Sequence, residues 1–146
     1  MKVSFEKQVI SLSQTRYIKQ LLSTWGYSEC KPIETPCDYN KKLSAMNQLE
    51  YSKLIGSLMY VMSCTRPDIA FTIGMLSRFT SNPSNEHWDA LTRLMRYLKG
   101  TVSLGLTLTL SPLTIIGYND SGWAGCPIDR RSTSGYCIFL GNNLIS

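Results

Sequence analysis

The apolar residues of this 146-residue chain change their period once, at Gly100. Up to that point they recur at spacings of three and four, which lines one side of a helix. Beyond it, Leu104, Leu106, Leu108 and Leu110 alternate with Gly105, Thr107 and Thr109, which lines one face of a strand. One chain cannot satisfy both periods with a single kind of element. The fold class is therefore α+β, with a helical part over residues 1–100 and a stranded part over residues 101–146.

Within the first part, Val9–Leu12 reads as the end of a short leading strand. Ser13 is placed to cap a helix by accepting a hydrogen bond from an early backbone N–H. Tyr17, Ile18, Leu21, Leu22 and Trp25 form the apolar face of that helix, and Gly26 suits the left-handed residue past its end. Pro32 and Pro36 exclude a helix interior, so residues 27–47 read as an extended loop. Residues 48–63 form a second helix with Leu54, Ile55, Leu58, Met59, Val61 and Met62 on more than one side, as expected of a central, buried helix. Pro67 and Asp68 suit the first turn of a third helix, whose apolar positions are Ile69, Ile73, Leu76 and Phe79. Ser84 is an N-cap for a fourth, with Trp88, Leu91, Leu94, Met95 and Leu98 as its stripe and Gly100 as its end.

In the second part, Leu104–Leu110, Leu113–Asn119 and Ser134–Leu140 read as three strands of one antiparallel meander. Gly141–Asn143 is a hairpin turn and Leu144 opens a fourth strand. The expectation is a sheet that lacks its closing elements, with an uncovered edge or face.

Composition narrows the partners. Residues 1–100 carry 13 Lys and Arg against 8 Asp and Glu, while residues 101–146 carry 2 of each, so the net charge of +5 sits wholly in the helical part. A basic segment favours polyanions such as nucleic acid. Five cysteines at separations of 7, 27, 62 and 11 include no zinc-type pair, and the single His87 completes no ligand set. No run approaches the ~20 apolar residues of a membrane span, and the N-terminus lacks the apolar core of a signal peptide. The chain is expected to be intracellular, with reduced thiols and no membrane partner.

Several ordered motifs occur together: Leu12-Ser13-Gln14 through Tyr17 to Lys31-Pro32 and Thr35-Pro36, then Tyr51–Tyr60 (YSKLIGSLMY), Thr65-Arg66-Pro67-Asp68, and the stretch Asn82–Gly100. They are followed by Gly117–Gly125 (GYNDSGWAG) and Asp129–Tyr136 (DRRSTSGY). In this succession, from about residue 8 to residue 146, the chain resembles the copia-type LTR retrotransposon Pol polyprotein. The match is to the end of the reverse transcriptase region and the start of RNase H. The resemblance implies a thumb- and connection-like segment over residues 1–100 and truncated RNase H-like strands over 101–146. It also implies an intact parent that copies RNA into DNA and degrades the RNA of the hybrid with Mg²⁺, and the remainder of the polyprotein as a partner. The family's Tyr-x-Asp-Asp polymerase motif is absent from these residues. Asp120 matches the first metal-binding aspartate of RNase H, but where the family reads Asp-Ala-Asp-Trp this chain has Asp120-Ser121-Gly122-Trp123. Two-metal phosphoryl transfer needs several carboxylates around ions ~3.5–4 Å apart. The fragment by itself is therefore expected to hold no cofactor and to turn over no substrate, small molecules included.

The candidate site residues each carry two readings. Asp120 is a vestigial catalytic and metal-binding carboxylate, or a strand-end residue bonding its own loop. Arg130 and Arg131 contact the phosphates of a hybrid or duplex, or form a local pair with Asp129. Arg93, Arg96 and Lys99, three residues apart on one helix, track a nucleic-acid backbone, or form a solvated face with Asp89 pairing Arg93. His87 is a capping or packing residue. Trp25, Trp88 and Tyr97 are base-stacking candidates that also fit core positions. Three functions follow: a polyprotein fragment inactive alone, an electrostatic nucleic-acid-binding module, or an inert or protein-interaction relic.

Overall fold

The structure is a computed structural model; it describes residues 1–36, 48–124, 130 and 132–145. The order of elements is β1 (Lys2–Glu6), β2 (Val9–Ser13), α1 (Thr15–Thr24), α2 (Gln48–Thr65), a short 3₁₀ helix (Pro67–Ile69), α3 (Ala70–Ser77), α4 (Asn85–Gly100), β3 (Leu106–Thr109), β4 (Ile115–Gly122), β5 (Thr133–Leu140) and β6 (Asn143–Leu144). The chain divides into two compact units, Met1–Val3 with Leu12–Leu106, and Ser4–Ser11 with Thr107–Ser146.

The helices form where the 3.6 period places them. In α1, Ile18, Leu21 and Leu22 are buried, with Tyr17 and Trp25 packed beside them. The helix ends in a Schellman turn. Gly26 takes φ +75°, the Tyr27 N–H donates to the Leu22 carbonyl (2.7 Å), and the Gly26 N–H donates to the Ser23 carbonyl (3.2 Å). At the other end the N-cap is Gln14, not Ser13; Ser13 still supplies its Oγ as acceptor for the Thr15 N–H at 3.2 Å. The shift by one residue follows from Gln14, which is buried and bonded through its side chain to the Thr65 hydroxyl (2.7 Å).

Helix α2 buries Tyr51, Leu54, Ile55, Leu58, Val61 and Thr65. The expectation of a helix covered on most sides is corrected, because Met59 and Tyr60 are each 45% exposed. The buried side is the row through 51, 54, 58, 61 and 65 together with Ile55. Pro67 opens the 3₁₀ helix as expected, and Ile69, Ile73 and Leu76 are buried behind it. Ser84 is the N-cap of α4, and its own N–H donates to His87 Nδ1 at 2.8 Å. The imidazole thus takes the place of the carboxylate in a capping box. Leu91, Leu94, Met95 and Leu98 complete the core, whose buried apolar members among the described residues lie between residues 18 and 98. Fully burying one such Leu is worth about 1.5–3 kcal/mol.

The strands differ from the expected single meander. β3 is the third strand of a sheet ordered β1-β2-β3, while β4-β5-β6 form a separate antiparallel sheet. β3 is drawn to β2 by backbone contacts that the period does not encode. The Leu110 N–H donates to the Gln8 carbonyl at 3.0 Å. Gly105 sits so close to the Leu12 carbonyl that a Cβ there would collide with it. β4 also starts later and runs further than expected, from Ile115 to Gly122, so Asp120 lies inside the strand and not at its end. Residues 27–36 form neither helix nor strand; the rest of the expected loop, 37–47, lies outside the described residues.

Candidate functional site

Helix α4 presents Arg93, Arg96 and Lys99 one turn apart. All three reach the segment that follows α1. Arg93 Nη2 donates to Thr35 Oγ1 (2.6 Å), Arg96 Nε donates to the Lys31 carbonyl (2.7 Å), and Lys99 Nζ donates to the Ser28 carbonyl. At Arg96 and Lys99 the acceptors are neutral carbonyls, so these bonds orient the cationic ends without pairing them with an anion. Arg96 and Lys99 form no ion pair among the described residues. The result is a row of cations held in place by oxygens of the chain itself. Nothing in the sequence signals this register, because residues 28, 31 and 35 meet 99, 96 and 93 only through tertiary folding.

The sharpest polar centre is one that the sequence reading singled out only as a motif and a helix break. Arg66 is 1% exposed. Its Nε and Nη2 donate to the two Asp68 carboxylate oxygens (2.9 and 2.8 Å), and Nη1 and Nη2 donate to the Thr101 carbonyl and hydroxyl (2.9 and 2.7 Å). Tyr97 donates its hydroxyl to the same carboxylate at 2.8 Å and lies under the guanidinium, 5.5 Å from ring centroid to Cζ. The guanidinium therefore sits at the C-terminus of α4, where the helix dipole is negative. Burial pushes the Asp68 carboxyl up, but the bonds from Arg66 and Tyr97 and the Arg66 charge outweigh it and hold the group below the ordinary carboxylate range. Burial, and then the bond to Asp68, raise the Tyr97 hydroxyl. This is a clamp joining the α2–α3 corner to the end of α4, in which four of the five guanidinium N–H groups and the Tyr97 hydroxyl are bonded within the chain.

His87 has a structural role as well. Its ring stacks on Phe79 with centroids 3.7 Å apart, and burial lowers its pKa against the opposing effect of Glu86. Trp25, Trp88 and Tyr97 pack against the core. Burial also raises the Tyr51 hydroxyl, which donates to the Leu76 carbonyl at 2.9 Å.

Asp120 is exposed on β4, directly across from Gly135, with the flanking pairs Asn119–Tyr136 and Ser121–Ser134. No second carboxylate stands beside it on these two strands. Among the described residues no group of three or more His, Cys, Asp or Glu is placed to hold a metal ion, so the described surroundings of Asp120 do not by themselves fit the Mg²⁺ site of the resembled enzyme. Arg130 is exposed with φ +56°, and Arg131 lies outside the described residues. The described site residues thus fall into an assembled row on α4, Asp120 on β4, and Arg130 outside any helix or strand.

Among the described residues no helix is long and apolar enough to cross a membrane. No family model matches the chain, and no solved structure matches it. Curated relatives do. The chain is 39% identical over 147 residues to the retrovirus-related Pol polyprotein from transposon TNT 1-94 of Nicotiana tabacum, covering 92% of this chain and 11% of the relative. It is 40% identical over 144 residues to the Pol polyprotein from transposon RE1 of Arabidopsis thaliana, covering 94% of this chain and 10% of the relative. It is 43% identical over 102 residues to a shorter protein, the secreted RxLR effector protein 161 of Plasmopara viticola, covering 69% of this chain and 72% of that one. The chain thus spans about a tenth of the polyproteins it matches. With that identity running along nearly its whole length, the chain belongs to the family of copia-type transposon Pol polyproteins.

Proposed function

We propose that this chain is the portion of a copia-type Pol polyprotein that follows the polymerase centre, comprising the thumb and connection side of reverse transcriptase and the opening strands of RNase H. Its activity is to hold nucleic acid by the phosphates, without making or breaking a phosphodiester bond unaided. The observation that carries this reading is the row Arg93, Arg96 and Lys99 on one helix, in which Arg96 and Lys99 are steered by neutral backbone carbonyls. Phosphate contact requires only positive charge in the right place. The lack of chemistry is supported by the setting of Asp120, whose neighbours across the strand are Gly135, Ser134 and Tyr136.

Binding of a short RNA–DNA hybrid, measured against salt, tests the first half. Affinity should fall steeply with salt, and Arg93→Gln/Arg96→Gln/Lys99→Gln should flatten the log–log slope by about 2–3, near 0.9 per lost contact. An unchanged slope rejects the site. The second half is tested by incubating the pure protein with the hybrid and Mg²⁺. The RNA should stay intact, and cleavage that disappears in Asp120→Asn would overturn the reading.

A second reading is favoured by one observation. All eight residues of β4 are exposed, among them Ile115 and Tyr118. Open apolar strand surface promotes association with other chains. A monodisperse monomer by light scattering would remove that reading.

A further inference from the structure

The cations of α4 are covered by the chain itself. Residues 28–35 lie along that helix as a strap, and the bonds from Lys99, Arg96 and Arg93 run down its length. Three further contacts hold it. Tyr27 Oη and Thr92 Oγ1 are bonded at 2.8 Å, the Ile33 N–H donates to the Arg96 carbonyl at 3.4 Å, and a Cβ at Gly100 would stand 3.0 Å from Pro32 Cβ. The strap buries little of itself. Ser28, Glu29, Lys31, Pro32, Glu34 and Thr35 are exposed. It is therefore held chiefly by the same three cations that the proposed function assigns to phosphate.

We infer that the strap is a built-in competitor for that site: a nucleic-acid backbone laid along α4 takes the head groups of Arg93, Arg96 and Lys99 and lifts residues 28–35 off the helix. This rests on the phosphate-contact reading above. A charged phosphate oxygen binds a guanidinium or ammonium about twice as strongly as a neutral carbonyl or hydroxyl does. The exchange therefore runs toward nucleic acid. While the strap is seated, it lowers the apparent affinity by the fraction of molecules in which it is open. Glu29 and Glu34, adjacent to the bonded residues Ser28 and Thr35, add acidic side chains at both ends of the competing segment.

The test uses the full chain and a short RNA–DNA hybrid as probe. Tyr27→Phe/Pro32→Gly removes the Thr92 bond and loosens the strap backbone. Thr35→Val removes the hydroxyl that accepts from Arg93 Nη2. Both should bind the hybrid more tightly than the parent, the double variant by about three- to tenfold and Thr35→Val by less. In the parent, added hybrid should accelerate cleavage by a glutamyl endopeptidase at Glu29 and Glu34. If loosened variants bind equally or more weakly, or if the hybrid binds and leaves strap cleavage unchanged, the strap is no competitor, although the phosphate site stands. If neither the parent nor a loosened variant binds the hybrid, the phosphate reading itself falls and takes this inference with it.

Discussion

The helical region and the stranded region of this chain solve the problem of burial very differently. Among the described residues, fifteen apolar side chains are buried between residues 18 and 98, and buried polar groups beside them are bonded, as with Gln14 to Thr65 and Tyr51 to Leu76. From Thr107 to Ile145 no described residue is buried, and Ile115, Tyr118 and Tyr136 are at least 64% exposed. The lesson lies in the elements. Each helix turns apolar residues toward another helix that covers them, α1 against α4, α2 against α3 and α3 against α4. A sheet needs a second layer, and β4-β5-β6 has none among the described residues. The helical region is therefore expected to behave as a cooperative core, and the strands as a surface awaiting a partner.

The contrast can be broken most forcefully in the core. Leu94→Ala should cost about 2–5 kcal/mol in urea unfolding, because the site is fully buried and cannot collapse. A loss below 1 kcal/mol, on the order of a surface change, would show that this core is loosely packed. Arg66→Ala comes next, at about 3 kcal/mol, since it strands a carboxylate and the Thr101 carbonyl that the guanidinium satisfied.

A smaller effect follows from pH. Burial lowers the His87 pKa in the folded state against the opposing charge of Glu86, so the fold prefers the neutral form, which accepts the Ser84 N–H through Nδ1. The cap therefore contributes fully above the ordinary histidine value of about 6.5 and is lost as pH falls through the lowered folded value. Asp68 acts in the same direction at lower pH, its contribution disappearing as acid protonates the clamp below the ordinary carboxylate range. His87→Gln keeps an acceptor that does not titrate, and should flatten the melting temperature between mildly acidic and neutral pH. If the slope there persists, another group is responsible. The smallest effect belongs to the strands. Ile115→Thr should leave unfolding within about 0.5 kcal/mol while reducing any self-association seen by light scattering. A large loss of stability would mean that β4 is packed as tightly as α4.

Much of this architecture was legible from spacing alone. The four helices, the turn at Gly26, the proline start at Pro67, the Ser84 cap and the stop at Gly100 all lie where local chemistry puts them. The exceptions are instructive. Ser13 was displaced as N-cap because Gln14 is held by a residue 51 positions away. Met59 and Tyr60 are apolar yet exposed, since hydrophobicity states what a side chain prefers and not whether a neighbour exists to cover it. The candidate site was half legible. The spacing of Arg93, Arg96 and Lys99 put them in one row, but the oxygens that hold them are 58 to 71 residues distant.

The division follows from range. Backbone periodicity, caps and glycine turns act within a few residues, so the amino-acid order determined the elements, their apolar faces and the placement of charge in the helical part. Pairing is a contact between distant segments. Only the tertiary structure moved β3 beside β2, through the close approach of Gly105 to Leu12, and turned Arg66 inward to close the end of α4. Only it laid residues 28–35 across the three cations, because a cation's acceptor is chosen by proximity in space and no local rule specifies which distant oxygen arrives first.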